Sequence, residues 1–298
     1  MNFVLGTALL AVVTALACAL PGTFIVLRKN SMLVDAISHA VLPGIVVGYF
    51  FTQDLESPLL IVGAALAGLV VAVGSEWLGR TGLLTGDAPQ GLVFPALFSA
   101  GVILVTAKFA NVHLDTHAVL VGDLNLAAWE QLTVGGVSIG PTYLYVMLAV
   151  LALNCAFLGA GYSRLKVTTF DPQFAGSLGI RVGLVNTAFM FVVSLTVTAA
   201  FHAAGAILVI ALMIVPPATA YLLSRRLPVL FALTAVIAAG GALAGFWIAY
   251  ELDAATSAGM AVFYGLVFVV GYLGTRIEQR RRHRLHAVRA VSTAQSAS

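Results

Sequence analysis

The chain has 298 residues, 60% of them hydrophobic and 9% charged, with a mean hydropathy of +1.02 and a formal net charge of +3. A soluble domain carries roughly 25% charged residues, so the composition excludes a water-dissolved globule and points to lipid as the natural solvent. The basic balance does not imply a nucleic-acid partner, because Lys and Arg sit at the ends of apolar segments and in the last residues.

Apolar segments fall at about 3–27, 34–51, 58–78, 88–109, 142–162, 182–201, 203–223, 229–250 and 256–275. Each is long enough to cross a bilayer as a helix. The first resembles a secretion signal, with Ala17-Cys18-Ala19 as a cleavage-like stretch, but no Lys or Arg precedes it. Its length predicts a retained first helix. Cys18 and Cys155 stand alone in apolar runs, without C-x-x-C, and read as small buried hydrophobes.

The expected fold is therefore all-α, a polytopic bundle of about nine spans with the N-terminus outside and the C-terminus cytoplasmic. Fourteen of the fifteen Lys and Arg residues then lie inside: Arg28 and Lys29, Arg80, Arg164, Lys166 and Arg181, Arg225 and Arg226, and the basic tail. Lys108 alone falls outside, with Asp54, Glu56, Asp115, Asp123, Glu130, Glu251 and Asp253. That asymmetry is the positive-inside rule. Residues 1–275 form the transmembrane domain, with a cytoplasmic connection at 163–181 and a basic, disordered tail at 276–298. The tail, with His283 and His286, suits an anionic lipid surface. The sixth and seventh spans meet almost without a loop at Phe201-His202-Ala203-Ala204-Gly205.

The second span opens with Asp35-Ala36-Ile37-Ser38-His39. At about 100° per residue, Asp35 and His39 share one face, one turn apart. Ala40, Gly44 and Gly48 make a small-residue stripe on the opposite face, suited to a close helix neighbour. Pro43 leaves the carbonyl of His39 without its helical donor. A carboxylate, an imidazole and a freed carbonyl within one turn suit a borderline divalent cation such as Mn2+, Zn2+ or Fe2+. The residues alone leave a second reading open, in which Asp35 caps the helix and His39 makes a structural hydrogen bond.

In the inner connection, Asp171 suits an N-cap, Pro172 the first helical position and Gly179 the exit of a short helix outside the bilayer. Phe170, Phe174 and Leu178 fall on one side of it, an apolar face that calls for a partner or for the membrane interface. Pro216 and Pro217 free the carbonyls of Leu212 and Met213, either as a kink or as a pathway lining. In the outer connection, residues 110–141, His113, Asp115 and His117 have an H-x-D-x-H spacing that can gather cations at an outer entry, or be plain solvated surface. His202 suits a cap of the span junction or a pathway role. No G-x-x-x-x-G-K-[ST], H-E-x-x-H or G-x-S-x-G occurs, so the chain carries no phosphate-cradling loop or hydrolase signature.

Leu27-Arg28-Lys29 followed by Asp35 through Gly44 resembles the signature of the metal permease subunits of zinc, manganese and iron ABC importers. Thr169 through Ala175, ending in Leu178-Gly179-Ile180, resembles their ATPase-coupling segment, and Gly205 through Ala220 their Pro-Ala-rich helix. The resemblance covers about residues 3–275 and departs at Pro217, where Ala is commoner in the family. It implies a bacterial plasma-membrane permease that is no enzyme itself and binds no cofactor beyond the transported divalent metal. It implies a second permease protomer, a cytoplasmic ATPase dimer that uses the ATP, and an extracellular metal-binding solute-binding protein. By the same resemblance Asp35 and His39 are the metal ligands, and Phe170, Asp171, Pro172, Phe174 and Leu178 couple to the ATPase. Asn111-Val112-His113-Leu114-Asp115 looks more like the manganese-leaning members. Two rival functions are a permease for a metal chelate, which needs no fixed ligand pair, and a secondary cation transporter using Asp35 as a proton relay.

Overall fold

The computed structural model describes residues 3–53, 57, 59–108, 123–134 and 137–296. Four long helices come first: α1 (Phe3–Leu27), α2 (Met32–Thr52), α3 (Leu59–Arg80) and α4 (Ala88–Lys108). A short helix α5 (Leu124–Ala127) and an antiparallel hairpin, β1 (Gln131–Val134) and β2 (Val137–Pro141), lead into α6 (Thr142–Phe170). The chain ends with α7 (Pro172–Ser177), α8 (Val182–Leu223), α9 (Leu227–Glu251) and α10 (Thr256–Ser296). Among the described residues, eight helices are long and apolar enough to cross a membrane. In lipid a backbone must satisfy its own hydrogen bonds, and apolar runs of this length do so as helices.

The sixth and seventh predicted segments form one 42-residue helix, α8, broken at Gly205 (φ 76, ψ 165). A straight helix of that length would be about 63 Å long, twice the roughly 30 Å hydrocarbon layer. Only glycine tolerates those torsions cheaply, so the direction of the chain changes at this residue. Its contacts with α1 show how. Asn186, near the start of α8, meets Arg28 beyond the end of α1, and Thr196 shares a hydrogen-bonded cluster with Ala17. Met213, beyond the break, lies against Gly22. The second half of α8 thus returns alongside α1 instead of continuing past it.

The core gathers α1, α6, α8, α9 and α10 around Phe24, Phe189 and Phe246, with α2 and α3 paired at its side. Small residues let the backbones approach. A Cβ on Gly44 would lie 2.4 Å from Ala64 Cα, and one on Gly48 would lie 3.1 Å from Leu60 Cα. Polar side chains act as internal ties: Asn154 of α6 donates to the Ala17 carbonyl (2.9 Å) and to Thr196 (3.0 Å), and Ser194 of α8 donates to the Ala65 carbonyl of α3 (2.7 Å). Such bonds hold helices together where water cannot compete.

Two sequence expectations need correction. Cys18 is buried, but Cys155 is exposed on the outside of α6. The outer connection, read above as connecting chain only, contains a hairpin; Asn125 beside it donates to Thr256 at the start of α10 (2.8 Å). The bounds of α10, Thr256–Ser296, include most of the basic segment after residue 275.

One contact shows where a carbonyl freed by the paired prolines lies. Pro216 and Pro217 are buried, as are Leu212 and Met213. The Met213 carbonyl that Pro217 leaves without a donor sits against Gly22, where a Cβ would lie 2.0 Å from its oxygen. The freed carbonyl is packed into the α1–α8 contact. Gly22→Ala should therefore cost about 1–3 kcal/mol through overpacking and lower the melting temperature of the detergent-purified protein. Gly91→Ala, with no atom within 4 Å of the new methyl, should leave it unchanged or raised; equal melting of both variants would contradict this packing.

Candidate functional site

The small-residue contact sets the rotation of α2. Gly44 and Gly48 are held against α3, so the opposite face, with Asp35 and His39, turns away from it. His39 Nε2 lies 3.6 Å from Asp35 Oδ1, and the two side chains are 39% and 34% exposed. Two ligands about 2.1 Å from a shared ion stand roughly 3.0–3.5 Å apart, so the pair is close to chelating distance.

α4 completes this face. The His39 ring stacks on Phe94 (5.3 Å between centroids, 19° between planes) and meets the edge of Phe98 at 6.4 Å. Gly101 of α4 brings its backbone against Pro43, where a Cβ would lie 2.6 Å from the proline Cβ. α2 remains one helix through Pro43. Ser31 holds the N-cap position without a side-chain cap bond, and Asp35 lies in the first turn of α2, where its charge suits the helix N-terminus. Among the described residues no group of three or more His, Cys, Asp or Glu comes together, so the pair would need further ligands from elsewhere. His113, Asp115 and His117, with Asn111, lie outside the described residues. His202 packs on Tyr143 at 4.9 Å, and the tyrosine hydroxyl donates to the Ala199 carbonyl (2.7 Å).

At the other end of α6 the short helix has the predicted construction. Asp171 accepts from the Phe174 N–H (2.8 Å), Pro172 opens α7, and Gly179 takes φ 76 at the exit. Ala175 is buried underneath, whereas Phe170, Phe174 and Leu178 are 60%, 53% and 56% exposed. This is an apolar face on a polar end of the bundle, beside Arg164, Lys166 and Arg181.

The same end holds a polar cluster that sequence reasoning treated only as orientation charge. Arg28 donates through Nε to Thr169 (3.0 Å), through Nη2 to Thr168 (3.5 Å) and through Nη1 to Asn186, with its guanidinium 4.7 Å over the Phe189 ring. Asn186 donates in turn to Glu76, which also pairs with Arg80. Burial lowers the Arg28 pKa to about 10, partly opposed by Glu76, so it remains a cation at neutral pH. The carboxyl ends of α1, α3 and α6 and the start of α8 therefore meet at one point. Nothing in the local sequence announces partners 140 and 158 positions away. Asn154 could have been found, since a buried amide in an apolar run calls for a partner helix.

Known proteins share this sequence and fold. The chain is 43% identical over 265 residues to a zinc transport system membrane protein of Treponema pallidum (strain Nichols), covering 89% of this chain and 72% of the relative. It is 41% identical over 262 residues to a manganese transport system membrane protein of Bacillus subtilis (strain 168), covering 88% of each. PsaBC from Streptococcus pneumoniae, solved in complex with Fab, shares the fold with a TM-score of 0.72 at 24% identity, covering 91% of each chain. A putative metal-chelate type ABC transporter in an inward-facing conformation follows at a TM-score of 0.65 and 18% identity, covering 91% of this chain and 85% of that one. The model of the ABC 3 transport family matches residues 1–274, and the chain belongs to that family.

Proposed function

We propose that this chain is the permease subunit of an ATP-driven importer of a divalent transition metal, Mn2+ being favoured and Zn2+ or Fe2+ the other candidates. It works in the bacterial plasma membrane, N-terminus outside, with a second permease protomer, a cytoplasmic ATPase dimer and an extracellular solute-binding protein that delivers the metal. The relatives named for zinc and manganese support the cargo class. The observation that carries the site is the Asp35–His39 pair, turned away from the α2–α3 seam with its donor atoms 3.6 Å apart. Metal passes between protomers, is held by Asp35 and His39 together with ligands from other helices or a partner chain, and leaves inward when ATPase movement displaces α7. A carboxylate and an imidazole bind metal only when deprotonated, so acid weakens uptake.

The chelate reading draws only on a fold likeness to the metal-chelate type transporter, and a fixed ligand pair favours the free ion. A secondary transporter would leave the exposed face of α7 without a use. In proteoliposomes of the assembled transporter, Asp35→Ala and His39→Ala should each abolish uptake of Mn2+ while assembly persists, and competition among Mn2+, Zn2+ and Fe2+ ranks the cargo. Full uptake by both variants would remove the site assignment. Phe174→Asp should prevent ATPase docking by placing a charge in an apolar contact; co-purification at the wild-type level would reject that role.

A further inference from the structure

Arg28 stands where the two flanks of α7 meet the entrance to α2. Thr168 and Thr169, its hydroxyl partners, are the last residues before Phe170 and the Asp171 cap. Asn186, its amide partner, lies on the first turns of α8, just after the exit from α7. A guanidinium is a planar, rigid fork of donors, so its position here is set by the end of α6 and the start of α8 together. Its backbone opens the linker Arg28–Ser31 that turns α1 into α2, where Lys29 adopts a left-handed φ of 55°. A non-glycine residue in that region is uncommon and marks a turn held by its surroundings.

A further side-chain tie to the linker runs from Gln90 of α4 to Asn30 (2.7 Å). A second route leads to the same helix: Asn186 donates to Glu76 of α3, and α3 is the helix on which Gly44 and Gly48 of α2 rest. A cavity of about 220 Å³ beside the cluster, lined by Arg28, Asn30, Glu76, Gln90 and Asn186, leaves the guanidinium room to follow its partners.

We infer that Arg28 is a positioning residue that carries displacement of α7 into α2: its fork locks the linker seven residues before Asp35 to both flanks of the coupling helix. The inference rests on α7 being the face on which the ATPase acts. It does not depend on which cargo α2 handles.

The test is hydrogen–deuterium exchange on the assembled permease–ATPase complex, with and without a non-hydrolysable ATP analogue. In the wild type, nucleotide should change exchange both at 164–181 and at 28–36. Arg28→Lys keeps the charge but not the fork; the change at 164–181 should persist and that at 28–36 should be lost. Thr169→Val, nearly isosteric, removes one acceptor and should weaken the response at 28–36, which protects the test if Arg28→Lys fails to assemble. A wild-type response at 28–36 in either variant overturns the inference, as does a wild-type complex in which nucleotide moves 164–181 alone. Because the readout is exchange and not metal uptake, loss of the cargo assignment would leave this result standing.

Discussion

The approach of α2 to α3 at Gly44 and Gly48 is the contact on which the arrangement of the site depends. A Cβ at either position would press on the backbone of Ala64 or Leu60. A helix that can touch its neighbour only along one stripe has its rotation decided by that stripe. The polar residues of α2 are then displayed on the other side by geometry, with no need for a specific bond to hold them there. α4 adds the second restraint, through Gly101 against Pro43 and the Phe94 ring against His39. The imidazole is thereby held in one plane while its nitrogen faces Asp35.

A second tier of restraint sits at the basic end. Hydrophobic packing in lipid has little preference for one helix pair over another, because lipid tails compete equally well for apolar side chains. Directional bonds decide the pairing instead. Asn154 fixes α6 to α1 and α8 in the middle of the bundle, and Arg28 and Asn186 join four helix ends below it. Asp171 then starts a new helix within a few residues of that junction, which gives the exposed face of Phe170, Phe174 and Leu178 a firm base. The proposed transport cycle uses this economy: the part that would receive force and the part that would hold metal share a boundary.

Much of this was legible in the order of residues because it follows from local rules. Helix lengths follow from apolar runs, the Asp171-Pro172 start and Gly179 exit from capping chemistry, and the shared face of Asp35 and His39 from helical periodicity. The break in α8 was placed between Phe201 and Gly205, and the structure puts it at the residue able to adopt φ 76. What could not be read is what depends on partners far apart in sequence. The outer hairpin was within reach of sequence reasoning and was passed over, since Gly135-Gly136 separates its two strands in the sequence; the aromatic bed of His39, by contrast, comes from α4, and the reach of Arg28 spans more than half the chain. Cys155 was misread because an apolar run does not say which of its sides faces lipid and which faces protein. His113, Asp115 and His117 belong to the part of the outer connection beyond the described residues.

The central claim is that α2 presents a metal-binding pair, and locating the ion tests it most directly. Crystals or grids of the assembled permease loaded with Mn2+ would show the ion, and anomalous scattering would identify it. The account predicts an ion in direct contact with the Asp35 carboxylate and the His39 imidazole, its remaining positions filled by groups from other helices or a partner chain. An ion bound elsewhere in the bundle, with Asp35 and His39 free of it, would contradict the account.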